Sequence, residues 1–211
     1  MKTIKPAELS SSDTIRQLSK CLQNGGLVCV PCRGTYRILA DLTNEDAVIN
    51  LMQSKRKTSK SPSLVFIKNM ASLADVVESV DPLVGKIAAE FWPGPLTILF
   101  YPSDSIPKKV AKQLTKANGH IGVRMPDDDL VQKLLEAFGG PLLVSSANKE
   151  KRHGESSPAQ VRKTFVSQVD FFVDDGDLVP HSASTIIGVH DGAVEIKREG
   201  AITTEQLSRY T

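Results

Sequence analysis

Short apolar runs alternate with amphipathic stretches along most of this chain. Residues 27–31 (LVCVP), 63–67 (SLVFI), 96–102 (LTILFYP), 120–126 (HIGVRMP), 141–146 (PLLVSS), 170–175 (DFFVDD), 184–189 (STIIGV) and 194–198 (VEIKR) are too short for helices, so they are read as strands. Between them the apolar positions fall at helical spacing. Ile15, Leu18 and Leu22 share one face of residues 11–26, a stretch opened by Ser or Asp and stopped at Gly25–Gly26. Residues 43–57 open on Thr43 or Asn44, and residues 81–94 have Asp81 as cap with Pro82 in the first turn. Residues 70–80, 127–140 and 157–165 complete the helical set. Several strands are apolar on both faces, which calls for cover on both sides. The expectation is an α/β protein: a single three-layer domain with a twisted, mainly mixed β-sheet flanked by helices, spanning residues 1–211.

Composition supports a sizeable core, with 40% hydrophobic residues in 211. Net charge says little, since 26 Lys and Arg face 24 Asp and Glu. Its distribution says more. Positive charge gathers at 54–60, 149–153 and 161–163, while 126–130 is acidic. Local basic clusters on a near-neutral chain point to a polyanionic ligand, against the plainer reading of solvated loops and helix faces. The N-terminal residues lack the apolar core of a secretory signal, and no run approaches the ~20 apolar residues that span a bilayer, so no membrane partner and a cytoplasmic location are expected. Cys29 and Cys32 form a CxxC, but Cys29 lies inside an apolar strand and no second ligand pair follows, so Cys21, Cys29 and Cys32 are read as reduced thiols and no protein metal site is expected.

In folds of this class, ligands collect where strands end. The polar residues at those ends form a consistent inventory: Arg124, Ser146, Asn148, Ser184 with Thr185, and Arg198, with Lys55 and Lys57 between a helix and the next strand. Cations, hydroxyls and an amide suit phosphate oxygens and carboxylates, which need several charge-assisted donors at once. Phosphate-loop glycine motifs, a GxSxG elbow, HExxH spacing and a histidine triad are all missing. One Ser/Asn strand end alone would read as a turn or cap; several together do not. The basic run after Asn148 reads equally as a solvated loop or as a charged flap.

Taken in order, FWPGPLTILF (91–100), VRMPD (123–127), SSAN (145–148) and REGAIT (198–203) resemble the YrdC/Sua5 family, the threonylcarbamoyl-AMP synthases of tRNA modification. VPCRGTYRILAD (30–41), SKRKTSKSP (54–62) and ASTII (183–187) add weaker matches, so the resemblance runs over about 11–203, and the additional C-terminal domain of the longer Sua5 branch is not expected. The resemblance implies a nucleotidyltransferase that makes threonylcarbamoyl-AMP and pyrophosphate from ATP, L-threonine and bicarbonate, with Mg²⁺, and hands its product to tRNA-modification partner proteins. It implies that Lys55, Lys57, Ser146, Asn148, Ser184 and Arg198 bind ATP, that Lys55 and Arg124 serve catalysis, and that Tyr36, Arg124 and Ser184 bind threonine. Thr97 reads as at least as much a turn residue as a site residue. Cys32, Arg33, Gly34 and Arg37 stand where the family usually has Thr, Asp or Glu, Thr, and Gly. Those substitutions and the basic runs support an alternative: a diverged relative that binds RNA or nucleotide without synthase activity.

Overall fold

The computed structural model describes residues 1–54, 63–115, 119–148 and 154–211. Its strands, in chain order, are β1 (Lys2–Ile4), β2 (Val28–Cys32), β3 (Thr35–Asp41), β4 (Ser63–Phe66), β5 (Leu96–Phe100), β6 (Ile121–Arg124), β7 (Leu142–Ser146), β8 (Phe171–Val173), β9 (Thr185–His190) and β10 (Ala193–Arg198). The helices are α1 (Ser12–Gln23), α2 (Glu45–Ser54), α3 (Pro82–Phe91), α4 (Lys108–Leu114), α5 (Asp129–Phe138), α6 (Pro158–Phe165) and α7 (Thr204–Leu207). Expected as one domain, the chain gathers its contacts into two compact units: residues 1–59 with 128–181, and residues 60–127 with 182–211.

In the first unit the strand order is β1-β8-β2-β3-β7. β8 runs parallel to β1 and β2, while β3 is antiparallel to both β2 and β7. The sheet is mixed, as the sequence implied. Helix α1 starts where the Ser11 hydroxyl accepts from the Asp13 N–H at 3.2 Å, and it buries Leu18 and Leu22. Helix α5 starts on the Asp128 carboxylate, which accepts from Val131 N–H at 3.1 Å. It stops at Gly139, whose φ of 86° only glycine adopts readily. The two helices pack against each other.

The second unit orders its strands β4-β6-β5-β9-β10. β4 and β6 are parallel, β6 and β5 antiparallel, β5 and β9 parallel, and β9 and β10 antiparallel with an irregularity between Ile196 and Arg198. Helix α3 begins as expected, with Asp81 accepting from Leu83 N–H at 2.8 Å and Pro82 in the first turn.

Five elements depart from the sequence reading. β3 was hidden because its partner turn, Arg33–Gly34, lacks the usual Asn-Gly signal, although both residues have positive φ (48° and 70°) between paired Cys32 and Thr35, as a type I′ turn demands. Residues 70–80 form one 3₁₀ turn, Met70–Leu73, rather than a helix. Asn69 competes there by accepting from the Ser72 N–H and hydroxyl, both at 3.0 Å, and Val77 bridges to Pro102. β1, α4 and α7 are short elements without a strong periodic signature.

Candidate active site

The strand ends of the second unit bring three of the expected site residues together. Arg124 closes β6, Arg198 closes β10, and Ser184 directly precedes β9. Arg124 is 6% exposed and Ser184 8%. The Arg124 guanidinium donates through Nε and Nη2 to Thr97 Oγ1, at 3.1 and 2.8 Å, and through Nη2 to Ser184 Oγ at 2.5 Å. It also lies over the Phe66 ring, 5.7 Å from its centroid. Arg198 approaches the same serine, donating to its carbonyl oxygen through Nη2 (2.6 Å) and Nε (3.2 Å) and to its hydroxyl through Nη2 (3.2 Å). Thr97 donates its own proton to Ser184 Oγ at 3.3 Å. Two guanidiniums and the Thr97 hydroxyl thus crowd one serine oxygen, more donors than its two lone pairs can take at once.

This gathering has an electrostatic consequence. Two permanent cations share one hydroxyl, and they repel each other. Burial also pulls the Arg198 pKa below the usual guanidinium range by penalising its charge. Among the described residues, no carboxylate forms an ion pair with Arg198. An incoming oxyanion would relieve both costs.

The local fold explains how the cluster is held. Thr97 and Ser184 meet because β5 and β9 run in parallel register, Leu96 beside Thr185. Thr185, fully buried, donates to Ile202 O at 2.5 Å and accepts from the N–H groups of Gly200 (2.9 Å) and Ile202 (3.0 Å), which ties the REGAIT turn to the start of β9. Gly200 is required by this closeness: a Cβ there would lie 2.2 Å from the Ala183 carbonyl oxygen. Thr97 does not tie the PGP turn. That turn is held by Trp92 Nε1 donating to Leu96 O (2.8 Å) and Gly94 N–H donating to Met125 O (2.9 Å), so the Thr97 hydroxyl serves Arg124 and Ser184.

The first unit holds the second group. β7 ends in Ser146, whose hydroxyl donates to Asn148 Oδ1 at 2.5 Å, and Asn148 is 9% exposed. The Asn148 amide thus presents its oxygen to the Ser146 hydroxyl. Arg37 of β3 pairs with Ser146 in the antiparallel register. Tyr36 is the hub beside them. Its N–H donates to Glu155 O (2.7 Å) and its carbonyl accepts from Ala147 N–H (2.9 Å), so both ends of the 147–155 excursion rest on one residue. Its hydroxyl donates to Gly176 O (2.7 Å) and accepts from Asp175 N–H (3.1 Å). Burial pushes the Tyr36 pKa up to about 12, and the ring, fully buried, packs on Phe172. These contacts give Tyr36 a scaffolding role in addition to the pocket role implied by resemblance.

The substituted segment is now explicable. Arg33 and Gly34 form the β2–β3 turn, and a Cβ on Gly34 would sit 2.0 Å from the Val179 carbonyl oxygen. Cys32 is buried, at 2% exposure. Cys29 and Cys32, three apart on a strand, point to opposite faces, and burial raises the Cys29 thiol pKa well beyond its usual range. None of the three cysteines forms a disulfide. No group of three or more His, Cys, Asp or Glu could hold a metal among the described residues. Lys55, Lys57 and the basic run 149–153 lie outside the described residues.

The mixed strand order and flanking helices define an α/β protein whose strand ends carry guanidiniums, hydroxyls and an amide. Comparison with known proteins then places it. The Sua5/YciO/YrdC family model, described as telomere recombination, matches residues 20–200, and the chain belongs to that family. A Methanocaldococcus jannaschii protein, provisionally named threonylcarbamoyl-AMP synthase, is 30% identical over 211 residues, covering 99% of this chain and 97% of the relative. The Coxiella burnetii threonylcarbamoyl-AMP synthase is 28% identical over 176 residues, covering 83% of this chain and 92% of its own. Among solved structures, Pyrococcus abyssi Sua5 complexed with L-threonine matches with a TM-score of 0.85 at 23% identity, over 99% of this chain and 60% of that one. Escherichia coli YciO matches at 0.82 and 20% identity, over 100% and 98%. At these identities the two structures speak for the fold.

Proposed function

We propose that this protein is a threonylcarbamoyl-AMP synthase, a nucleotidyltransferase that converts ATP, L-threonine and bicarbonate into threonylcarbamoyl-AMP and pyrophosphate. The threonine amine and bicarbonate condense to a carbamate with loss of water. A carbamate oxygen then attacks the α-phosphorus, the bond from that phosphorus to the bridging oxygen breaks, and pyrophosphate leaves. No protein nucleophile is needed. The chemistry needs orientation and positive charge at the phosphates and the carboxylate.

The observation that carries the reading is the convergence of Arg124 and Arg198 on Ser184. Arg198 is the cation for the nucleotide. Arg124 fixes the Ser184 hydroxyl and contributes its charge on the threonine side. Ser146 and Asn148 supply neutral donors for phosphate oxygens, joined in this reading by Lys55 and Lys57. The described residues offer no carboxylate cage, so Mg²⁺ enters as part of the MgATP substrate, held by phosphate oxygens and water. No helix among the described residues is long and apolar enough to cross a membrane. In this reading the enzyme works in the cytoplasm and supplies an activated threonylcarbamoyl group to tRNA-modifying partners. Purified protein given MgATP, bicarbonate and L-threonine tests it: pyrophosphate should appear only with all three, and threonine-independent release, or none, would contradict the assignment.

A further inference from the structure

Helices α1 and α5 pack against each other, and a cleft of about 690 Å³ opens between them and the 3₁₀ turn Pro6–Ser10. That volume falls among the clefts of roughly 300–1,000 Å³ that take small ligands. Its lining residues all belong to the first unit, and none is among the strand-end groups above.

The lining divides by chemistry. Leu9, Ile15 and Ala137 supply an apolar wall. Arg16 and Lys133 supply cations, and Glu136 a carboxylate. Ser19 lines the same cleft at 4% exposure, yet its hydroxyl makes no hydrogen bond among the described residues. A serine inside a helix can return its proton to a carbonyl one turn back. Ser19 does not, and a buried hydroxyl left without a partner is costly. A polar ligand in the cleft would remove that cost.

The charges suit a partner that carries both signs. Lys133 and Glu136 stand three apart on α5, which sets their Cβ atoms about 5–6 Å apart on one helix face. They form no ion pair with each other, and neither has another ion-pair partner among the described residues. Arg16 already shares its charge with Asp13, Nη1 to Oδ1 at 3.1 Å. The uncommitted charges of the cleft are therefore one ammonium and one carboxylate. A purely anionic ligand would meet Glu136 unfavourably, and a purely cationic one Lys133. A zwitterion on an aliphatic body satisfies both charges and covers the apolar wall.

We propose that this cleft binds a zwitterionic aliphatic amino acid or short peptide, its carboxylate toward Lys133, its ammonium toward Glu136 and its side chain against Leu9, Ile15 and Ala137. The site is independent of the nucleotide chemistry above. Calorimetric titration of the whole chain with L-leucine, leucyl-leucine, 4-methylpentanoate (which lacks the ammonium) and leucinamide (which lacks the carboxylate) tests it. L-leucine or leucyl-leucine should saturate the protein with a Kd below about 1 mM, and the tighter of the two distinguishes a free amino acid from a peptide. The two compounds with one charge should bind about fivefold more weakly, the scale of an ion pair at a solvent-reached rim. Glu136→Gln should erase the preference over 4-methylpentanoate, and Lys133→Gln the preference over leucinamide. Ser19→Ala should weaken the zwitterion about threefold. Lys133 and Glu136 are exposed helix positions, and thermal unfolding checks that each variant folds. No saturation by either zwitterion below about 1 mM, or single-charge compounds that bind as tightly, overturns the site. Zwitterion affinity unchanged in both charge variants places the ligand elsewhere, the proposed threonine pocket included, and overturns it as well.

Discussion

Ser184→Ala is the sharpest perturbation of the arginine cluster. It deletes one oxygen that accepts from Arg124 Nη2 (2.5 Å), Arg198 Nη2 (3.2 Å) and Thr97 (3.3 Å). Removing a hydrogen bond to a charged group costs about 1.5–3 kcal/mol. Two are lost here, yet neither cation is stranded. Arg124 keeps Thr97 Oγ1, and Arg198 keeps the Ser184 carbonyl, which the substitution leaves in place. The expected loss of unfolding free energy is therefore near the bottom of that range, about 2 kcal/mol, read by urea unfolding. The catalytic effect should be separate. The variant takes from both guanidiniums the hydroxyl that is their common anchor. We expect kcat/KM for ATP in pyrophosphate release to fall about 10- to 100-fold, or about 1.4–2.7 kcal/mol of transition-state stabilisation. A cycle with Thr97→Val, whose hydroxyl faces the same guanidinium, should show coupling of about 0.5–3 kcal/mol. Additive stabilities together with kcat/KM within twofold of wild type would refute the idea that one serine organises both cations.

Other consequences are more local. Tyr36→Phe leaves Gly176 O and Asp175 N–H without their hydroxyl partner and should lower stability by about 1–3 kcal/mol in urea unfolding. Burial alone would raise the Asp174 pKa, but Lys5 (2.8 Å), Arg162 (2.6 Å) and the Gly176 N–H (3.1 Å) outweigh it and hold the carboxyl at about 2, below its ordinary 3.8. Its contribution is present above pH 3.8 and lost as pH falls through about 2, so Asp174→Asn should flatten the acid limb of a stability–pH profile by about 2 kcal/mol. Gly200→Ala pushes a methyl against the Ala183 carbonyl and the Ser184 carbonyl carbon, 2.2 and 2.6 Å away. It should reduce pyrophosphate release more than Ala→Gly at an exposed helical site such as Ala159 does, compared at equal folded fraction.

The sequence was informative where local chemistry decides the structure. Apolar runs located most strands, and caps such as Asp81 and the stop at Gly25 located helix ends. The composition of the strand ends points to anion chemistry, because cations and hydroxyls concentrate there. It was silent where pairing decides. Thr97 looked like a turn residue because its partner, Arg124, lies on a strand 27 positions away. Arg37 reads in the sequence only as a departure from the family pattern, and the register of β3 with β7 sets it opposite Ser146. The type I′ turn that creates β3 is encoded by Arg33 and Gly34, and a lone glycine with a non-standard neighbour is a weak signal. Thr185 gave no sequence hint of the three bonds it makes to the 200–202 turn.

The most direct measurement is the dependence of pyrophosphate release on threonine. With MgATP and bicarbonate saturating, a titration of L-threonine should raise the rate from background to a plateau, with AMP-linked threonylcarbamate formed in equal amount to pyrophosphate. A rate indifferent to threonine, or ATP consumed without that product, would contradict the synthase assignment.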